Sequence, residues 1–157
     1  MTDTIDTPTI LVCVDTHNAS IAVMRYACYR AKKLGFIVRV LAVMDNSHKN
    51  LLFGSRAISQ DKHQQVEKNL QILLTKIHEE TGVTPFVSIR EGDITAEIIK
   101  EIRSIPKCAT LLFGKSHNPL SDNTVLPKII QKIGDKIRVP VAIIPENLSE
   151  DYFKGLI

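Results

Sequence analysis

Two patterns of apolar residues alternate along this chain. Short unbroken runs of strand length, of which Thr9–Val14 (TILVCV) is the first, suit strands covered on both faces. Between them, apolar positions recur three and four residues apart, as in a helix with one buried face. The first run ends at Asp15, and Asn18 or Ser20 then offers a side-chain oxygen to an orphan N–H at a helix start. Val23, Tyr26, Ala27, Ala31 and Leu34 mark the face of that helix. Lys32 and Lys33 suit the negative end of its dipole, and Gly35 is its C′ residue, where a left-handed backbone is needed. A second run, Phe36–Met44, closes at Asp45.

Residues Asn46–Ile58 carry no strong period and predict a mobile connection with at most a short helical turn. From Ser59 the helical period returns, with Val66, Leu70, Leu73, Leu74 and Ile77 on one face and Gly82 as the stop. Pro85–Ile89 predicts a third strand, its proline tolerated at the first position. Asp93 then predicts the N-cap of a helix with Ile94, Ile98, Ile102 and Ile105 on its face. Pro106 stops that helix because it has no N–H to continue the ladder. Ala109–Phe113 predicts a fourth strand with Gly114 at its carboxyl end, followed by a polar loop and a helix opening near Thr124. That helix carries Ile129, Ile130, Ile133 and Ile137, and Val141–Ile144 predicts a fifth strand between Pro140 and Pro145. In the tail, Tyr152, Phe153, Leu156 and Ile157 offer apolar surface to the body or to a partner.

Five strands alternating with four helices predict an α/β fold, a doubly wound, mainly parallel five-stranded sheet flanked by helices. No repeat, low-complexity segment or linker divides the chain, so residues 1–157 read as one domain with a core over 9–145 and an extension at each end. In such sheets ligands sit outside the carboxyl ends of the strands. That singles out residues 111–128, LLFGKSHNPLSDNTVLPK, as the candidate ligand segment.

Composition narrows the function. A chain of 157 residues with 44% apolar and 24% charged residues is of ordinary size and make-up for a soluble globular domain. A net charge of +3, basic residues scattered along the chain and the absence of Trp argue against a nucleic-acid partner. Cys13, Cys28 and Cys108 lie far apart, without CxxC or metal-ligand spacing to a histidine, and read as reduced thiols, with Cys13 in the core. His17, His48, His63 and His78 show no ligand spacing either, so no metal is expected. The first nine residues lack the basic and apolar regions of a signal peptide, and no apolar run approaches the ~18 residues needed to span a membrane. A cytoplasmic protein without a membrane partner is expected. No Gly-x-Ser-x-Gly, His-Glu-x-x-His or GxGxxG signature is present, and no catalytic residue is assigned. Gly114-Lys115-Ser116 resembles the end of a Walker A loop, but strand residues 110–113 stand where its upstream glycine is required.

Four segments together resemble the universal stress protein family. ILVCVDTHNAS with a helix ending AKKLG is similar to a family opening that ends its strand in Val-Asp-Gly-Ser and its helix in Leu-Gly. The second strand closes VMD, REGDITAEII resembles the family's Gly-Asp-Pro-Ala-Glu-Ile-Ile segment, and RVPVAIIP resembles its closing strand. The resemblance runs from about Thr9 to Pro145 and implies a five-stranded parallel sheet. It also implies a homodimer paired through the last strand, Val141, Ala142, Ile143 and Ile144, and an unknown protein partner for a non-catalytic stress-response or regulatory role.

Many members of that family bind ATP. Carried over by position, Asp15 matches the aspartate beside adenosine and Val43 the valine beside adenine. The family's phosphate loop reads Gly, two residues, Gly, nine residues, Gly, then Ser or Thr. Counted back from Pro140, its positions fall on Gly114, His117 and Pro127-Lys128, so one glycine of the three remains. Glycines let backbone N–H groups approach phosphate oxygens, and Pro119 and Pro127 have no N–H to offer. Losing two or three charge-assisted bonds at roughly 1.5–3 kcal/mol each would carry a micromolar ligand beyond millimolar. Lys115, His117 and Lys128 offer side-chain charge in compensation. ATP binding is therefore expected to be weakened or lost. The alternative is an adenine-nucleotide-binding member with an altered phosphate loop and slow ATP hydrolysis.

Overall fold

The computed structural model describes residues 6–14, 20–44, 55–115 and 125–156. Their elements run β1 (Thr9–Val14), α1 (Ser20–Leu34), β2 (Ile37–Met44), α2 (Ser55–Thr81), β3 (Phe86–Glu91) and α3 (Ile94–Ser104). Then come β4 (Cys108–Lys115), α4 (Val125–Gly134), β5 (Val141–Pro145) and α5 (Glu150–Lys154). The strands form one sheet in the order β3-β2-β1-β4-β5, and every pairing is parallel. This is the expected doubly wound architecture.

Side chains alternate across a strand, so β1 feeds both halves of the core. Ile10, Val12 and Val14 pack with Val38, Val40 and Leu112 beneath α1 and α2, against Val23, Ala27, Leu70 and Ile77. Leu11 faces the other way, with Leu41, Leu111 and Phe113, beneath Ile98 and Ile99 of α3 and Ile133 of α4. Asp93 caps α3 as expected, its carboxylate accepting from the Ala96 N–H at 3.0 Å. Gly35 and Gly82 end α1 and α2 with φ of 71° and 77°, the left-handed backbone that favours glycine.

The structure corrects several boundaries. Ser55–Ile58, read as part of the connection, belong to α2, because hydrophobic period reports burial rather than helicity; residues 46–54 lie outside the described residues. Leu34 is 46% exposed, being the last residue of α1, past its packed turns. The helix α4 ends at Gly134, and Ile137 packs half-buried just after it. Strand β4 continues through Gly114 and Lys115, which pair with Ile144 and Pro145 of β5. The tail forms a fifth helix on the body, with Phe153 1% exposed.

One buried network went unread in the sequence. Glu101 of α3 is 2% exposed, and its carboxylate accepts from Arg39 Nη1 at 3.2 Å, Ser88 Oγ at 3.1 Å and Arg90 Nε. Arg90 also donates to Glu97 at 3.3 Å, and Lys100 donates to Glu97 at 3.0 Å. Together these tie α3 to β2 and β3. The turn before α3 fits closely: a Cβ on Gly92, whose φ is 151°, would stand 2.9 Å from Glu97 Oε1. Burial pushes the Glu101 carboxyl up, but Arg90, Arg39 and Ser88 outweigh it and hold it below the ordinary range. Lys100 and Arg90 hold Glu97 low in the same way, against its own desolvation.

Glu101 is buried, whereas Arg39 and Arg90 keep 30% and 29% of their side chains exposed, so removing the carboxylate leaves charges that water partly reaches, at a cost of about 1–3 kcal/mol. Glu101→Ala is therefore expected to lower the urea unfolding free energy by that amount, whereas exposed Glu79→Ala should change it by less than about 0.5 kcal/mol. Both carboxyls titrate lower in the folded chain than in the unfolded one. Their contribution is therefore complete above the unfolded value of roughly 4.3 and is lost as pH falls through the folded values. Urea midpoints measured through that acid range should fall less steeply in Glu101→Gln than in the wild type.

Candidate functional site

The sheet order reverses between β1 and β4: the chain leaves β1 for β2 on one side, and leaves β4 for β5 on the other. At such a switch point the two crossovers diverge and leave a crevice outside the carboxyl ends of the strands. Register shows which residues meet there. Cys13 lies between Leu41 and Phe113, and Val14 pairs with Ala42. Counting on by one residue, Val43 and Gly114 flank the end of β1 from its two neighbours.

Val43 is half-buried and packs against the core beneath α3 and α4. Gly114 is half-buried in β4, paired with Ile144. The Lys115 side chain is exposed, and its carbonyl accepts from the Glu146 N–H at 3.0 Å, which extends the ladder past β5. Gly114 is thus a strand residue, not the turn after the strand. Lys128 is exposed on α4, beside Pro127. The structure therefore places Val43, Gly114 and Lys115 at the carboxyl ends of β2 and β4, the strands on either side of β1, with Lys128 in the first turn of the helix that follows β4. Asp15, His117 and Pro119 lie outside the described residues.

The place of Pro127 is informative. It is the third residue of α4, within the first turn, where N–H groups have no partner inside the helix. Such groups form the anion-binding end of a helix after a strand. A proline is tolerated there because the ladder loses nothing, yet one potential phosphate donor is gone. Sequence matching had marked Pro127; its position in the first turn explains how the fold accepts it.

Other chemistry is sparse among the described residues. They hold no group of three His, Cys, Asp or Glu side chains able to bind a metal. The three cysteines are free thiols, and burial pushes Cys13, Cys28 and Cys108 up, Cys28 to about 12. They stay protonated near neutral pH and are poor nucleophiles. No described helix is long and apolar enough to cross a membrane.

Comparison with known proteins agrees with this geometry. Among solved structures, the universal stress protein UspA from Lactobacillus plantarum superposes with a TM-score of 0.69 at 16% identity, over 87% of this chain and 97% of that one. A universal stress family protein from Burkholderia pseudomallei gives 0.67 at 15%, over 87% and 95%. The universal stress protein from Archaeoglobus fulgidus, solved in complex with dAMP, gives 0.63 at 14%, over 89% and 98%. No curated protein matches by sequence. At these identities the solved structures show the fold. The model of the universal stress protein family matches residues 7–145, nearly the whole chain and the span of the four motifs, and the protein therefore belongs to the universal stress protein family.

Proposed function

We propose that this protein is a non-catalytic regulatory member of its family, acting as a homodimer, with ATP binding weakened or lost. Pro127 carries this reading. The phosphate end of a family-type site needs free N–H groups at the start of the helix after β4, and Pro127 occupies the third position of that helix. The exposed ammonium groups of Lys115 and Lys128 supply charge there without the fixed directions of backbone donors.

A second reading has its own support. The relative from Archaeoglobus fulgidus was solved with dAMP, and Asp15, Val43 and Gly114 of this chain match the nucleotide-binding positions that the family resemblance implies. That favours an adenine-nucleotide-binding member with an altered loop and slow hydrolysis, in which Asp15 and His117 contribute.

The homodimer reading rests on β5. It is an edge strand, and Val141 and Ile143 on it are 37% and 45% exposed, while Ala142 and Ile144 face the core beneath α1. An edge with unpaired backbone groups and exposed β-branched residues suits pairing with a second copy.

Denaturing the purified protein should release no nucleotide, and ATP, ADP and AMP up to millimolar concentration should leave its melting temperature unchanged. Co-purified nucleotide, or a clear thermal shift, would establish the second reading instead. His117→Gly combined with Pro127→Gly should bring back a shift with ATP. Light scattering should give the mass of two chains for the wild type and of one chain for Ile143→Asp; a wild-type mass of one chain would remove the dimer.

A further inference from the structure

The segment after β5 lies outside the residues that match the family, yet it occupies a built seat on α1 and α2. Arg25 of α1 is its centre. The guanidinium donates through Nε and Nη2 to Glu80 of α2, with Nε–Oε1 at 3.1 Å, and Tyr29 Oη donates to the same carboxylate at 2.6 Å. These bonds involve α1 and α2 alone. Onto this seat α5 brings two groups. Glu150 accepts from Arg25 Nη1 at 2.9 Å and Nη2 at 2.8 Å. The Phe153 ring lies 4.0 Å from the guanidinium carbon and 5.7 Å from the Tyr29 ring, and is buried between them.

The two sides of this contact differ in what they need from each other. A helix of five residues cannot persist in water, since nucleation costs more than so few bonds return. Ser149 caps it, accepting from the Tyr152 N–H at 3.1 Å, and one cap does not change that balance. The bonds of the seat join two long helices, whereas α5 depends on its contacts with them. That asymmetry is the one found where a groove receives a short helical peptide. The recognised pattern is a carboxylate and an aromatic ring three residues apart, which fall on one side of a helical turn. The guanidinium meets the first through hydrogen bonds and the second through its face.

We propose that the surface formed by Arg25, Tyr29 and Glu80 is a docking site for a helical segment of a protein partner carrying a glutamate and a phenylalanine three residues apart. The chain's own Glu150 and Phe153 fill it as a tethered competitor. Four residues separate Pro145 of β5 from Glu150, so a partner competes with a tail held at an effective concentration of about millimolar.

The probe is a fluorescein-labelled peptide of residues 146–156, ENLSEDYFKGL, titrated by anisotropy into full-length protein. The variant Glu150→Ala with Phe153→Ala empties the seat and should bind the peptide at least about tenfold more tightly than the wild type. Adding Arg25→Gln should abolish that gain. Equal affinity for wild type and emptied seat, or a gain that survives Arg25→Gln, would overturn the proposal. So would full-length wild-type protein binding the emptied variant as tightly as the peptide does, since the occupant would then be the tail of a second copy. Hydrogen exchange on the unmodified chain gives an independent check. Amides of 150–154 should exchange through local opening at least about a hundredfold faster than those of β1. Equal rates, or an emptied variant that does not fold, would make α5 an integral part of the core and sink the idea.

Discussion

The central strand of the sheet, β1, is buried on both faces, and most of the molecule follows from that. Parallel strands can be joined only by crossovers, and each crossover helix must lie on one face or the other to cover it. With β1 in the middle and buried on both sides, α1 and α2 cover one face and α3 and α4 the other. The carboxyl ends of all the strands then share one edge, and the reversal of order beside β1 opens a crevice there. Val43, Gly114 and Lys115 flank the end of β1 because of register, not because they are near in sequence.

Burial also sets the limits of this cover. Only four helices span five strands, so the edges are less protected than the centre. At β3 the deficit is met in part by charge: Arg39, Arg90 and Ser88 converge on Glu101, which is buried under α3 with its ion-pair partners around it. At β5 the two faces are treated differently. Ala142 and Ile144 are covered beneath α1, while Val141 and Ile143 stay open to solvent. Exposed apolar residues remain at both edges, Val141 and Ile143 on β5 and Phe86 and Val87 on β3.

Two features at the periphery have a common logic. Pro127 leaves α4 undisturbed, because the first turn of a helix can do without that N–H. The tail adds α5 without altering the sheet, because Arg25 and Glu80 already join α1 to α2 and need only accept one more carboxylate and a ring. Each change falls where backbone or side-chain valences were already free of the core. A fold of this kind keeps its architecture while its ligand end and its outer surface diverge.

The alternation of unbroken apolar runs with three- and four-residue spacing was enough, by itself, to determine five parallel strands and the helices between them. Burial on two faces leaves no other pattern, and caps such as Asp93 and stops such as Gly35 and Gly82 obey local backbone chemistry. The family was legible too, since its motifs lie at strand ends. Periodicity could not show the strand character of Gly114 and Lys115, because it reads burial and these two positions are half-buried and exposed. Nor could it pair Glu101 with Arg39 and Arg90, or Arg25 with Glu80, Glu150 and Phe153. Glu150 alone stands 125 residues from Arg25 in the chain, and charged residues at such separations carry no period. Only the packing of helices on the sheet decides which of them meet.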